Sequence, residues 1–229
     1  MVLCQLMIDI SKNIIVSITG KDANACIRKI YEAKELGITE VGLFLELLGE
    51  KERQDVYDKL LEKSIKRIPL VHIRHDMTEK ELIFLKENFK TKYFTIHEIN
   101  FQRDDVLRWK SFEKNLFLEM NFDNFVSKKV NVENIGGFCV DLAHFKVAME
   151  KLNKDFDYVY TKKDIPKYFA CNHLNGWDIE RNIDMHTINS SSNFDYLKTM
   201  PDFLFGKCIA LEVFNSLKEQ LEFKQYLEN

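Results

Sequence analysis

Six histidines punctuate the 229-residue chain, each at or just past the carboxyl end of a short apolar run and beside or near an acidic residue. The runs cover 68–75, 93–97, 138–144 and 168–173, and the last histidine closes the triplet 184–186. Imidazole nitrogens and carboxylate oxygens gathered from several elements are the donor set of a catalytic divalent metal, provided that one position stays open for water or substrate. The candidate ligands are His72, His97, Glu119, Asp141, His144, His173, Asp184, His186 and Glu212. Glu119, Asp141 and Glu212 each follow at least two apolar residues, in LFLEMN, CVDLAHF and ALEVF. A lone carboxylate in an apolar strand is costly unless it is paired, hydrogen-bonded or metal-bound. His75 should point opposite to His72 by strand alternation, so His72 is read as the one facing the site.

Side chains so far apart in sequence meet only if the elements that carry them open on one face. Strand-like and helix-like segments alternate from end to end, which is the signature of a parallel sheet built from strand, helix, strand units. Strands are expected over 13–19, 40–46, 68–73, 93–97, 116–121, 137–141, 168–173 and 208–214. Helices are expected over 21–36 (stopped by Gly37), 50–64, a segment after Thr78 ending near Phe89, 104–112, 145–153 and 217–227. Thr78 and Glu81 form a capping-box signature for the third helix. A short, irregular helix is expected after strand five, and 175–193 reads as a long loop with no clear period. Eight strands alternating with helices predict an α/β fold, a single (β/α)8 TIM barrel over residues 1–229, with the candidate ligands at the carboxyl-terminal mouth. An open doubly wound sheet would want a glycine-rich phosphate turn after its first strand, and none is present.

Composition narrows the partners. Lys and Arg number 33 against 36 Asp and Glu, so the net charge of −3 does not favour a polyanion. The five cysteines (Cys4, Cys26, Cys139, Cys171, Cys208) are odd in number and widely spaced, and three lie in apolar runs, which fits buried free thiols in a reducing compartment. No basic segment precedes an apolar stretch at the N-terminus, and no apolar run has the length of a membrane span. A cytoplasmic protein without a membrane partner is expected.

Taken in order, VDLAHF, the HLN tripeptide 173–175, the DMH triplet 184–186 followed by Ile188, and the final LE at Glu212 resemble the xylose-isomerase-like TIM-barrel superfamily. That superfamily includes sugar isomerases and epimerases and the endonuclease IV type of apurinic endonuclease. The isomerase branch implies one divalent ion, with Mn, Co or Mg expected, held by Glu119, Asp141, His173 and Glu212. There the two glutamates, Glu119 and Glu212, exchange the proton on the sugar carbon, while His144 contacts a small sugar or sugar phosphate. The endonuclease branch implies three zinc ions held by all nine candidates and phosphodiester chemistry. The chain departs from that branch, with LEMNFDN after Glu119 and DMHTINSSSN after Asp184, and its connections after strands two and three pass almost directly into helices. Duplex DNA is therefore the weaker substrate, and metal-dependent isomerisation or epimerisation ranks first. A zinc phosphoesterase acting on a small or single-stranded substrate ranks second, and a non-catalytic metal-bearing binding barrel third. Glu46 could line the pocket, Trp177 could wall it, and Arg74 and Asp76 could bind a phosphate or each other.

Overall fold

The computed structural model describes residues 10–62, 64–97, 105–119, 131–153 and 155–228. Its main sheet is parallel and nearly closed. In chain order the strands are β1 (Ile14–Ile15), β2 (Ser17–Ile18), β3 (Gly42–Phe44), β4 (Leu70–His72), β5 (Tyr93–His97), β6 (Leu116–Glu119), β7 (Gly137–Asp141), β8 (Phe169–Leu174) and β11 (Cys208–Leu211). A separate antiparallel hairpin pairs β9 (Gly176–Asp178) with β10 (Ile183–Met185). The α-helices are α1 (Ala23–Glu35), α2 (Glu50–Leu61), α3 (Glu79–Phe89), α4 (Leu142–Glu150), α5 (Asp155–Tyr160) and α6 (Leu217–Leu227).

The expected first strand is divided. β1 pairs with β11, through Ile14 opposite Ile209 and Ile15 opposite Ala210, whereas β2 pairs with β3, through Ser17 opposite Gly42. Only Val16 separates the two segments, and its carbonyl accepts from Gly42 N–H at 2.9 Å. The two ends of the ladder, β1 and β2, are thus adjacent in the chain, and the sheet curls back on itself. The division has a cause in α6. The fully buried Gln220 accepts from Ser17 N–H at 2.7 Å and donates to the Ser17 carbonyl at 3.1 Å, occupying backbone groups that a continuous strand would use. Gly42 is required at this seam, because a Cβ there would lie 2.5 Å from Ser17 Oγ and 2.9 Å from the Ala210 Cβ. Just beyond it the buried Lys29 of α1 donates to Thr19 Oγ1 at 2.8 Å and to the Val213 carbonyl at 2.9 Å, tying the end of β2 to the segment after β11.

Strand alternation divides the apolar side chains into two cores. Phe44, Leu70, Phe117, Cys139, Cys171, Cys208 and Ala210 pack inside the curl. Residues of opposite parity, such as Val71, Phe94, Ile96, Leu118 and Ile209, pack outward into the larger core beneath the helices. The same parity that sends Phe117, Cys139 and Cys171 inward sends Glu119, Asp141 and His173 inward one step later, above an apolar floor.

Several expected elements differ in detail. The helix expected over 145–153 begins three residues earlier, because Asp141 ends β7 and caps α4 at once, its Oδ1 accepting from His144 N–H at 2.8 Å. The stretch expected as a helix over 104–112 is 3-10 in character across Asp105–Asn115, with a break at Trp109. The expected loop 175–193 contains the β9–β10 hairpin, and α5 has no counterpart among the expected helices. Of the stretch after strand five where an irregular helix is expected, the described part holds a 3-10 turn over Val132–Asn134, and the rest, like Cys4, lies outside the described residues. Cys26, Cys139, Cys171 and Cys208 are buried and free. Among the described residues no helix is long and apolar enough to cross a membrane.

The seam can be tested in two ways. Gln220→Ala strands the Ser17 backbone groups in a buried site and should lower unfolding stability by about 1–3 kcal/mol, read from the denaturant midpoint. Burial lowers the Lys29 ammonium from 10.5 to about 8, against the pull of Cys26 and nearby carboxylates. The unfolded chain then binds more protons than the folded one between those two values, so stability gained through this group rises with pH across that window. The stability of the wild type relative to Lys29→Met should therefore increase from about pH 8 to about pH 10, and parallel pH profiles would refute this.

Candidate metal centre

Above the apolar floor, Glu119 stands at the middle of the mouth, 1% exposed, with imidazoles on several sides. Its Oε2 lies 3.2 Å from His72 Nε2, 3.3 Å from His173 Nδ1 and 4.0 Å from His97 Nδ1. His173 Nδ1 is also 3.3 Å from Glu212 Oε2. The register explains the meeting, since His97 pairs with Glu119 and Asp141 with His173 on neighbouring strands. These approaches lack hydrogen-bond geometry. Glu119 Oε2, both ring nitrogens of His72, His173 Nδ1, Glu212 Oε2 and Glu46 Oε2 are buried and make no hydrogen bond. Polar atoms that converge without bonding one another fit a common cation.

The second lone pair or proton of several donors is already fixed by a neutral partner. His173 Nε2 contacts Thr95 Oγ1 at 3.0 Å, which turns Nδ1 toward the carboxylates. Asp141 receives Asn175 Nδ2 at 3.0 Å on Oδ2, besides the α4 cap on Oδ1. That cap places His144 in the first turn of α4 rather than at the strand end, where its Nε2 reaches Asp184 Oδ2 at 3.2 Å. Asp184 and His186 come from β10 and the residue after it. His186 Nε2 is 3.2 Å from the same Asp184 oxygen, and His186 Nδ1 meets the Glu212 carbonyl at 3.0 Å. Such outer partners set ring orientation and tautomer in metal sites.

Four donor sets have their ligand atoms mutually within 4.8 Å and could hold a metal ion. They are His72, His97 and Glu119; Glu119, Asp141, His173 and Glu212; His144, Asp184 and His186; and a further combination of His72, His173 and Glu212. All nine sequence candidates are therefore brought to one mouth, and each belongs to at least one set. His72, Glu119, Asp141 and His173 are sealed from water, whereas His97 and the His144–Asp184–His186 set open toward solvent.

Burial opposes charge on the groups that follow, and neighbours decide the outcome. At His72 burial wins and lowers the imidazole to about 3. At His173 burial is outweighed by Glu119 and Glu212, which hold it well above the usual range. The converse holds at Glu119, where burial is overcome by His97, His173 and His72, which keep the carboxyl well below its usual range. Asp141 is pushed up to about 6 by burial. In the outer set burial again loses, with His144 raised to about 10 by Asp141 and Asp184 and His186 to about 9 by Asp184. Glu46, pushed up to about 8 by burial and by Glu212 and Glu119, shares the same field.

The sequence pointed to every residue of the three principal sets and left open the partners that orient them. Glu46, 3.5 Å from His72 Nδ1, does line the pocket. Arg74 and Asp76 bind each other at 3.4 Å, and Asp76 also receives the buried Arg53. Trp177 packs against Lys146, whose Nζ lies 5.0 Å from the ring centre, beside the outer set rather than in it. Thr95 carried no signal of its own in the sequence, because a hydroxyl in an apolar strand is also consistent with ordinary packing, and Asn175 entered only as the last residue of the HLN tripeptide, with no role attached to it. No family model, curated protein or solved structure matches the chain.

The sharing of Glu119 makes the sets separable by substitution. Metal analysis of the zinc-loaded protein should show Asp184→Asn losing one equivalent, and Glu119→Gln losing more, because Glu119 serves two of the principal sets and Asp184 one. Equal losses in the two variants would contradict the partition.

Proposed function

We propose that the chain is a divalent-metal-dependent phosphoesterase, with zinc the fitting ion, on a (β/α)8 barrel of the xylose-isomerase-like superfamily. Counting 14–18 as one strand interrupted at Val16 reduces the parallel ladder to eight, in the order expected of that barrel. The observation that carries the function is the partition of nine donors into three adjoining sets, with Glu119 common to two of them. Three or four nitrogen and oxygen donors per set suit zinc, and the imidazole content favours it over magnesium. When bound, clustered ions would stabilise the attacking and leaving oxygens of an in-line displacement at phosphorus.

The chain's own groups have defined tasks in this reading. Thr95, Asn175 and the Glu212 carbonyl hold His173, Asp141 and His186 in position. Phe44 and Phe117 close the bottom of the site to water, so a phosphate ester enters past His97, Asp184 and His186. β3 ends at Phe44 and α2 begins at Glu50, while β4 ends at His72 and α3 begins at Glu79. Connections so short leave little to grip a duplex, and with a net charge of −3 they favour a small or single-stranded phosphate ester.

Sugar isomerisation, first in rank on sequence, keeps one supporting observation. Glu119 and Glu212 both lie 3.3 Å from His173 Nδ1, so the set of Glu119, Asp141, His173 and Glu212 is complete for one ion and two proton-exchanging carboxylates. In that reading His144 contacts the substrate, and the pairing of Asp184 with His144 and His186 as a third donor set has no metal to hold.

One experiment separates the two. Zinc-loaded protein should hydrolyse bis(p-nitrophenyl) phosphate, and Glu119→Gln and Asp184→Asn should each lower the rate at least about 100-fold, a loss of about 2.7 kcal/mol of transition-state stabilisation. Incorporation of solvent deuterium into aldose or ketose phosphates, without ester hydrolysis, would overturn the phosphoesterase and restore the isomerase.

A further inference from the structure

His173 and His186 share one pattern. Each turns one ring nitrogen to the donor cluster and the other to a fixed oxygen, Thr95 Oγ1 and the Glu212 carbonyl respectively. His72 has no such contact, although it is fully buried and both its ring nitrogens are without a hydrogen bond. Its Nε2 faces Glu119 Oε2 at 3.2 Å, within the set that includes His97. A neutral imidazole that gives Nε2 to a cation keeps its proton on Nδ1, and that proton needs an acceptor in a site closed to water.

Two carboxylates lie near Nδ1. Glu212 Oε1 is 4.0 Å away and already belongs to the set around His173. Glu46 Oε2 is closer, at 3.5 Å, buried, without a hydrogen bond, and outside every donor set. Glu46 follows β3 by two residues, on the inward parity of Phe44, and Phe44 pairs with His72 across the β3–β4 ladder. The backbone thus holds the carboxylate and the ring side by side. We propose that Glu46 is a positioning residue of the metal centre, accepting the Nδ1–H of His72 and thereby fixing that histidine as an Nε2 ligand. The inference rests on the metal-centre reading above. It assigns Glu46 no contact with substrate.

The closing of a 3.5 Å approach to a charge-assisted hydrogen bond needs a movement of only a few tenths of an ångström, within the freedom of a glutamate side chain at the rim. A bound cation would oppose the burial and the neighbouring carboxylates that push Glu46 up, and the ionised Glu46 would then also raise the basicity of the ring nitrogen on the far side. Removal of such outer partners typically weakens metal affinity about 10–100-fold.

The test is zinc titration calorimetry on the full chain, paired with long-range 15N–1H NMR of the histidine rings. Glu46→Ala should weaken one class of zinc site about 10–100-fold and leave the others unchanged, with Glu46→Gln, which keeps an acceptor, in between. In the zinc-loaded wild type His72 should show a protonated Nδ1 and a metal-bound Nε2, a readout that survives even if Glu46→Ala does not fold. Unchanged zinc affinity in Glu46→Ala, or a protonated Nε2 on His72, would overturn the assignment while leaving the metal centre intact. A wild type that takes up no zinc would remove the metal centre itself and the role of Glu46 with it.

Discussion

The carboxylates of Glu119, Asp141 and Glu212 and the imidazoles of His72 and His173 are withdrawn from water at the middle of the mouth, and most of their inner atoms face one another without a hydrogen bond. Desolvated charge of this density costs several kcal/mol per group unless geometry supplies compensation. Mutual pairing compensates in part, as the opposite shifts of Glu119 and His173 show. It does not reach His72, which burial keeps neutral with two unused ring nitrogens. Such an arrangement persists only where the surrounding structure holds each group in place, and the demand for rigidity passes directly to the barrel.

The barrel meets that demand by alternation and register. One step up each strand from Phe44, Leu70, Phe117, Cys139 and Cys171, the inward side chain becomes ionisable: Glu46, His72, Glu119, Asp141 and His173. The apolar floor is therefore what excludes water from the polar layer above it. Closure depends on the seam at Val16, where Gln220 replaces strand pairing at Ser17 and Lys29 ties Thr19 to Val213. Glu212 follows Leu211 directly, and its N–H is held by the Leu174 carbonyl at 2.8 Å, so the seam and the site share one stretch of backbone.

Elements with a strong period and clear caps were legible in the sequence. β5 and β7 coincide with the expected 93–97 and 137–141, α6 with 217–227, and the Thr78–Glu81 capping box opens α3. Gly37, with a φ of +70°, stops α1 where expected. The candidate ligands were legible because a carboxylate or imidazole that ends an apolar strand is too costly to bury without a charged partner or a metal. The β9–β10 hairpin was not, since its three-residue strands are largely half-exposed and packed on α4 and on the 3-10 segment Ser191–Thr199 rather than alternating between core and solvent. The division of the first strand was hidden for a different reason. It depends on Gln220, about two hundred residues away, and no local pattern around Val16 announces it.

The outer set differs from the inner one in a way that bears on how the site works. Asp184 Oδ2 is 3.2 Å from both His144 Nε2 and His186 Nε2, and burial there is overcome so that both imidazoles are charged and the carboxyl is held below its usual range. Asp184 offsets one of the two positive rings and the nearby carboxylates of Asp141 and Glu212 oppose the other, so the triplet is paired without a cation. A cation entering it must displace protons from both rings, so its occupancy falls as pH falls. His72 at the inner end carries no proton to displace at neutral pH. Folding and occupancy thus place opposite demands on the two ends of one mouth. The inner end, with its unpaired buried atoms, is where bound metal would contribute most to stability, and the outer end, already satisfied and open to solvent, is where substrate would compete with protons and water for access.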